Sequence, residues 1–581
     1  MTPRRRIFAD LTWRHDRRRF ALLLAGSVAF ALATPLLLLA TRGLVDAIAQ
    51  ARSWSPSLLW LLALMGLATA ARQGLAPFLE HVQNAYVTEV RHRLQLRLMR
   101  ALAQVDLAYY DDRDFAEDAA RAQEAVLWRP EKITVGAVAM TEATIQVVGT
   151  AAVLAHAGLL PAGLVLAGAM ATAGADVVLA RRRNDVALSR DNDIRRQSCY
   201  ALPLVNPQAA AEVRVGAMAG ALVDGWSGYA TRARRLLVRA AMGTLPLAVV
   251  AAVITGAAMV GAILLLARDR ATPGEIAITV GGLVAIAAAV QNLISRGGLM
   301  IEDLRLLRVP YDLLDLPPQL PRAPSPVPVP VGGAGLGLHG VRFGYPGSEH
   351  RVLDGVDLDV APGEVVALVG ENGAGKTTIT RLLLRLYDPQ EGSITYGGTD
   401  LRAFDLGLLR SRIGVLDQDA IQFKLTLRDN VGYGRASAEP SDVAILAALD
   451  AALATPVAED LGGIDAYVGR FWRGGHELSG GQWQRVALAR HAFRDADLWI
   501  LDEPTSALDP EAEAAVLDGL RQRLHGRTGL VVSHRMASVR TADRIAVLAE
   551  GRIAELGTHD ELLALGGRYA AMFEAQAAAY R

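Results

Sequence analysis

Gly370-Glu371-Asn372-Gly373-Ala374-Gly375-Lys376-Thr377-Thr378 follows an unbroken apolar run, Val365-Val366-Ala367-Leu368-Val369, and precedes the helix-forming stretch Ile379 to Leu386. Strand, glycine-rich turn and helix in that order make a phosphate-binding loop and set an α/β P-loop fold for this part of the chain. The glycines let successive backbone N–H groups curl around phosphate oxygens, and the following helix turns the positive end of its dipole toward the same anion. Lys376 reaches the β- and γ-phosphates, and the Thr377 hydroxyl suits Mg²⁺.

Two further stretches carry the same chemistry. Leu478-Ser479-Gly480-Gly481-Gln482 opens an apolar-periodic helix and again offers backbone donors to an anion. Leu498-Trp499-Ile500-Leu501 reads as a buried strand that ends in Asp502 and Glu503. Asp502 suits Mg²⁺, through water, and Glu503 suits polarisation of the water that attacks a γ-phosphate. Ser506-Ala507-Leu508-Asp509 follows, and a last apolar strand ends at Ser533-His534.

The order of these motifs, together with Gln418, resembles the nucleotide-binding domain of ABC transporters. The resemblance covers nearly the whole chain in the form of an exporter-type half-transporter with fused membrane and nucleotide-binding domains. It implies ATP and Mg²⁺ as ligands, with contacts to the nucleotide from the loop residues 370–378, Ser479, Gly480, Gly481, Gln482 and Asp509. Tyr345 corresponds to the aromatic that stacks on adenine, a contact any base tolerates. Gln418 corresponds to the glutamine that contacts Mg²⁺ and the water, so Thr377, Gln418 and Asp502 form the expected metal set. Glu503, His534 and Gln418 are the expected catalytic group, with His534 contacting the γ-phosphate. In the family the LSGGQ segment acts on ATP held by another nucleotide domain, so a chain with one copy of each motif is expected to pair with a second half-transporter, as homodimer or heterodimer. One departure stands out: Val468-Gly469-Arg470-Phe471-Trp472-Arg473-Gly474-Gly475-His476-Glu477 carries two arginines and two aromatics where exporters of this family usually have a short acidic stretch.

Composition accounts for the other half. The chain has 581 residues, 52% of them hydrophobic and 6% aromatic, and its mean hydropathy is +0.24, which points to the membrane. Apolar stretches near Phe20–Ile48, Pro56–Leu79, Ile133–Leu160, Pro161–Ala180, Thr244–Ala267 and Ile276–Ile294 are each long enough for roughly 30 Å of hydrocarbon. The expected fold is therefore an all-α, six-helix transmembrane domain over 1–300, a proline-rich linker over 301–334 and an ABC ATPase domain over 335–581. Segments 1–19, 82–130 and 181–242 hold seven, seven and eleven Arg, against one, none and two in 49–57, 158–163 and 267–275. The positive-inside rule then places the first group, both termini and the nucleotide domain in the cytosol of a bacterial inner membrane. Met1–Phe20 does not read as a cleavable signal, because its Arg cluster precedes a span too long for a signal core.

The long connections 82–130 and 181–242 have helical spacing, which predicts membrane helices that run on below the bilayer. Leu107–Asp112 and Asn206–Arg214 interrupt that pattern, and the resemblance implies that they are short coupling helices resting on nucleotide domains. Cys199 is the one cysteine, which excludes a disulfide within the chain, and zero net charge argues against a nucleic-acid partner. Lysine occurs at 132, 376 and 424 alone, so the loop lysine stands where arginine is otherwise the rule. Counted from the outer ends of their spans, Arg72, Glu142 and Asp176 lie about sixteen residues deep, roughly 24 Å at about 1.5 Å per residue. With Gln291 and Asn292 they are candidates for lining a substrate cavity, since charge at that depth must pair or face water. The sequence leaves cargo open among natural product, peptide, lipid and drug-like molecules. Uptake of a siderophore complex and a non-pumping nucleotide-gated regulator stand as alternatives to export.

Overall fold

The computed structural model describes residues 3–579 apart from 15, 51–55, 208, 418–419, 436–438, 505–512, 517, 520–525 and 541. It divides into two compact units, Met1–Gln104 with Asp114–Leu316, and Val105–Arg113 with Pro317–Arg581.

The first unit is helical. Its long helices are α1 (Arg17–Gln50), α2 (Pro56–Leu102), α3 (Arg113–Ala155), α4 (Leu159–Val205), α5 (Ala219–Arg268) and α6 (Pro273–Leu306). Among the described residues, six helices here are long and apolar enough to cross a membrane, by length and composition. At 47 residues, α2 and α4 each extend about 70 Å at about 1.5 Å per residue, more than twice a hydrocarbon core. The predicted continuation of the spans is thus present. The break between the third and fourth spans falls earlier than expected, at 156–158, because Gly158 takes φ 139, a conformation open to glycine, and starts α4 afresh.

Small residues let α4 and α5 approach closely. A Cβ on Gly168 would lie 3.2 Å from Ala258 and from the Thr255 backbone. The Thr255 hydroxyl donates to the Gly168 carbonyl at 2.8 Å and sits 3.2 Å from that of Thr172, the polar glue expected between membrane helices. Another tie joins the C-terminal end of α1 to the N-terminal end of α6. Asp46 accepts from the Gly274 N–H at 2.8 Å and from the Thr272 hydroxyl at 3.1 Å, while Arg42 donates to Glu275 at 2.7 Å. Thr272 and Glu275 are also the two halves of the capping box that starts α6.

The second unit contains two sheets. The first is antiparallel, in the order β2 (Leu353–Val360), β1 (Leu336–Phe343), β4 (Glu391–Tyr396), β5 (Thr399–Asp400). The second runs β10 (Arg552–Gly557), β9 (Arg544–Ala549), β3 (Val365–Val369), β8 (Thr528–Val532), β7 (Leu498–Asp502), β6 (Ile413–Leu416). Strands β6 to β9 and β3 are mutually parallel, and β3, β7 and β8 are buried at every position, as continuous Val/Ile/Leu runs covered on both faces should be. Parallel pairing brings the C-terminal ends of β6, β7, β3 and β8 to one edge, the place where open α/β sheets bind ligands.

The expected linker is only half extended. α6 runs to Leu306 and a further helix spans Arg308–Leu314, so residues up to 314 are helical. Pro310 falls in the first turn of that second helix, where a missing N–H costs nothing, and Leu307, Tyr311 and Leu313 are buried. From Pro317 onward the chain is extended, held where Arg385 donates to the Pro321 carbonyl at 2.6 Å and where the Val327 N–H donates to Ala403 at 3.0 Å.

Candidate functional site

β3 ends at Val369 and α7 (Lys376–Leu383) begins after six intervening residues. The turn between them cannot be built without glycine at two points. Gly375 has φ 106 and a Cβ there would meet Leu353 at 2.7 Å, while a Cβ on Gly370 would strike the Leu548 carbonyl. Inside the turn the Lys376 ammonium donates to the Gly370 and Glu371 carbonyls at 2.8 and 2.9 Å, so the cation is held over the loop's own backbone. Burial lowers its pKa, and Asp502 and Glu503 pull in the opposite direction. Glu371, Asn372 and Gly373 are exposed on the rim, as anion-cradling groups must be.

At the end of β7, Asp502 is buried. Its carboxyl is pushed up to about 6 by burial, then by the negative charges of Asp417 and Glu503, while Lys376 and the hydroxyl of Thr377 act against the shift. A carboxylate held among other acids next to a hydroxyl is the donor set that Mg²⁺ takes beside substrate phosphates, with waters filling the remaining positions. Glu503 occupies the left-handed region at φ 50, a strained conformation for a non-glycine residue. Its N–H is held by the Val532 carbonyl at 2.8 Å and its carbonyl by the Gln484 amide at 3.2 Å. This aims the carboxylate at the next strand's end, where His534 Nδ1 lies 2.6 Å from Oε1. His534 is exposed, Glu503 is not.

Tyr345 stands at the side of the loop. Its hydroxyl is 3.1 Å from that of Thr378 and accepts from Arg381 at 3.2 Å, with the guanidinium 5.7 Å from the ring centroid. Thr378 is buried, so its contact with this tyrosine is the role the structure gives it. The LSGGQ segment starts α8 (Gly480–Arg494). Ser479 and Gln482 close a capping box on one another, at 3.3 and 2.9 Å, and leave the Gly480 and Gly481 N–H groups at the exposed start of a 15-residue helix.

The atypical stretch before LSGGQ is folded back by its own residues. Trp472 Nε1 donates to the Lys424 carbonyl at 2.6 Å, Lys424 pairs with Glu477 at 3.1 Å, and the Trp472 ring lies tilted against Tyr467 and edge-on to Phe471, which is largely exposed. Gln418 and Asp509 lie outside the described residues.

Of the candidate cavity residues, Arg72 on α2 lies 5.1 Å from the ring centroid of Phe30, and Glu142 on α3 lies beside Ser27, one turn away on α1. Asp176 on α4 is half-buried, and Gln291 and Asn292 on α6 are exposed. The three charged groups form no ion-paired triad among the described residues. Sequence reasoning passed over Asp417, whose charge shapes the Asp502 site, and Gln484, which fixes Glu503. Asp417 precedes Gln418 at the end of β6 and was within reach of the same reading; Gln484 carries no signal apart from its position in α8.

Residues 353–506 match the ABC transporter family. The chain is 38% identical over 310 residues to an ATP-dependent lipid A-core flippase of Burkholderia orbicola, covering 53% of this chain and 51% of the relative. It is 42% identical over 267 residues to another from Alkalilimnicola ehrlichii, covering 46% and 44%. The chain spans about half the length of the curated relatives it matches. A solved structure of a bacterial Atm1-family ABC exporter with ATP bound is similar over 97% of this chain and 99% of the other, at 25% identity and a TM-score of 0.79. With six membrane-length helices among the described residues of the first unit and a phosphate loop, LSGGQ helix and Asp-Glu strand end in the second, the chain has the fold of an ABC exporter that carries membrane and ATPase units in one polypeptide, and its residues 353–506 belong to the ABC transporter family.

Proposed function

We propose that this protein hydrolyses ATP to drive a substrate across the bacterial inner membrane and out of the cytosol, in a dimer of half-transporters. The observation that supports hydrolysis best is the Glu503–His534 contact of 2.6 Å, formed at the strand ends beside the phosphate loop. In this reading Glu503 takes a proton from the attacking water, and His534 fixes the carboxylate's direction and reaches toward the γ-phosphate. Lys376 leaves the Gly370 and Glu371 carbonyls for phosphate oxygens as the loop's N–H groups close around them. Tyr345 stacks on the base. Thr377 and Asp502, with Gln418, would hold Mg²⁺, which supplies charge neutralisation at the β- and γ-phosphates. Ser479, Gly480 and Gly481 face an ATP on the second subunit, and Asp509 belongs to the same interface. The nucleotide unit begins at Pro317 in this reading, following the division of the fold rather than the earlier boundary at 335.

The flippase relatives support an amphipathic, lipid-like cargo over a flat aromatic drug, in keeping with the scarcity of aromatics in the third to sixth spans. Arg72, Glu142 and Asp176 would serve polar headgroups from three different helices. The reading is tested with purified protein in lipid vesicles: Glu503→Gln should bind ATP with unchanged affinity and hydrolyse it at least 100-fold more slowly. Hydrolysis near the wild-type rate removes Glu503 from the mechanism. Transport of a fluorescent lipid in vesicles of known orientation distinguishes export from uptake.

A further inference from the structure

Tyr387 is 4% exposed and lies between two parts of the second unit that the proposed cycle needs to connect. Its hydroxyl donates to Asp111 Oδ2 at 2.7 Å, on the short helix Leu107–Asp111. Its ring meets that of Tyr345 edge-on, at 5.5 Å and 89°, and Phe343 completes the cluster at 5.5 Å from Tyr387 and 5.1 Å from Tyr345. Leu107 and Ala108 pack on the same hydrophobic core as Tyr387.

The segment is also anchored from its other side. Asp106 Oδ2 accepts from the Gln319 and Leu320 N–H groups at 2.7 and 3.1 Å, and the Tyr109 hydroxyl donates to the Pro317 carbonyl at 2.8 Å. The extended linker therefore clasps residues 106–109 while Tyr387 holds residue 111. A displacement of the Tyr345 ring must move Tyr387, since T-shaped ring contacts in a packed core leave no slack. Tyr387 in turn carries a charge-assisted hydrogen bond whose loss frees the segment's end.

We propose that Tyr387 is a positioning residue that transmits base stacking at Tyr345 to the 105–113 segment, with Asp106 fixing that segment to the linker so that the motion is passed on rather than absorbed. The proposal rests on the reading of Tyr345 as the base-stacking aromatic.

Full-length protein in nanodiscs, with Glu503→Gln to prevent turnover, is compared with and without saturating Mg·ATP by hydrogen–deuterium exchange of peptides covering 105–113. ATP should slow exchange there at least five-fold. In Tyr387→Phe, which keeps the ring and removes the hydroxyl, the slowing should drop below two-fold while ATP affinity stays within two-fold. Asp111→Ala, which removes the acceptor without touching the aromatic cluster, should behave alike and serves if Tyr387→Phe melts early. Retained slowing in both variants overturns the relay, as does a ten-fold loss of ATP affinity in both, which would make Tyr387 part of the pocket. Tyr345→Ala separates the two readings. Unchanged ATP affinity in that variant defeats the base-stacking reading itself, whereas a ten-fold loss there, with slowing intact in Tyr387→Phe and Asp111→Ala, defeats the relay alone.

Discussion

His491, on α8 behind the LSGGQ segment, is the group whose titration should govern the acid stability of the nucleotide unit. The side chain is 3% exposed, its ring packs edge-on against Trp499 at 4.2 Å, and a Cβ on Gly414 would lie 2.6 Å from its Cε1, so the site is tight. Burial pushes its pKa from the ordinary value of 6.5 down to about 3. The folded imidazole stays neutral where the unfolded one binds a proton, so stability is complete above pH 6.5 and falls as pH drops toward 3. At pH 5 the unfolded state gains RT ln(1 + 10^1.5), about 2 kcal/mol, and at pH 7 almost nothing. His491→Leu removes the titration and keeps an apolar group of similar size. Denaturant unfolding in detergent, followed by intrinsic fluorescence, should show wild-type stability falling by about 2 kcal/mol more than the variant's between pH 7 and pH 5. Parallel pH profiles for the two proteins would refute the reasoning, because every other titrating group is common to both.

Asp502 titrates in the opposite sense: its ordinary value is raised to about 6, so the apo site is half-protonated near that pH, and binding of Mg·ATP should release a proton. Calorimetry at pH 6 in buffers of different ionisation enthalpy should detect that release, and it should vanish in Asp502→Asn; chelation of Mg²⁺ should abolish turnover. If LSGGQ serves a partner's nucleotide, mixing Lys376→Ala with Ser479→Ala subunits should restore one composite site in each mixed dimer, about a quarter of the wild-type ATPase after random exchange, whereas activity in a monomeric fraction would end the pairing argument. Asp176→Asn should cut lipid-stimulated ATPase several-fold and leave basal ATPase in place, and unchanged stimulation there and in Glu142→Gln would mark both residues as interfacial.

The nucleotide site was legible because its chemistry is local. A glycine turn, a lysine and a threonine within nine residues do their work through backbone they themselves shape, and the strand ends carrying Asp502 and His534 meet the loop by the rule of parallel pairing. The capping box of Ser479 and Gln482 is also written in the sequence, as Ser-x-x-Gln before an apolar run. Contacts between distant segments were not legible. Asp111 and Tyr387 are 276 positions apart, and nothing in either neighbourhood announces the other. The depth arithmetic for Arg72 and Glu142 fixes height along a helix but not azimuth, so it gave no notice of their neighbours on α1, Phe30 and Ser27. The linker was placed from 301 because the last apolar span ends near Ile294 and the proline-rich run follows; the helix over Arg308–Leu314 between them, with Pro310 where a helix tolerates it, carried no separate signal.

The tie between α1 and α6 has a bearing on how the membrane unit opens. Asp46, Arg42 and Glu275 are only partly exposed, and drawing the two helix ends apart would take both α6 donors from Asp46 and leave it with Arg42 of its own helix, while Glu275 loses its partner. Breaking those bonds costs roughly 5 kcal/mol, from about 1.5–3 kcal/mol for each bond to a charged group. The two ends therefore behave as one strut. Any parting of helices at that end of the unit then has its edges elsewhere.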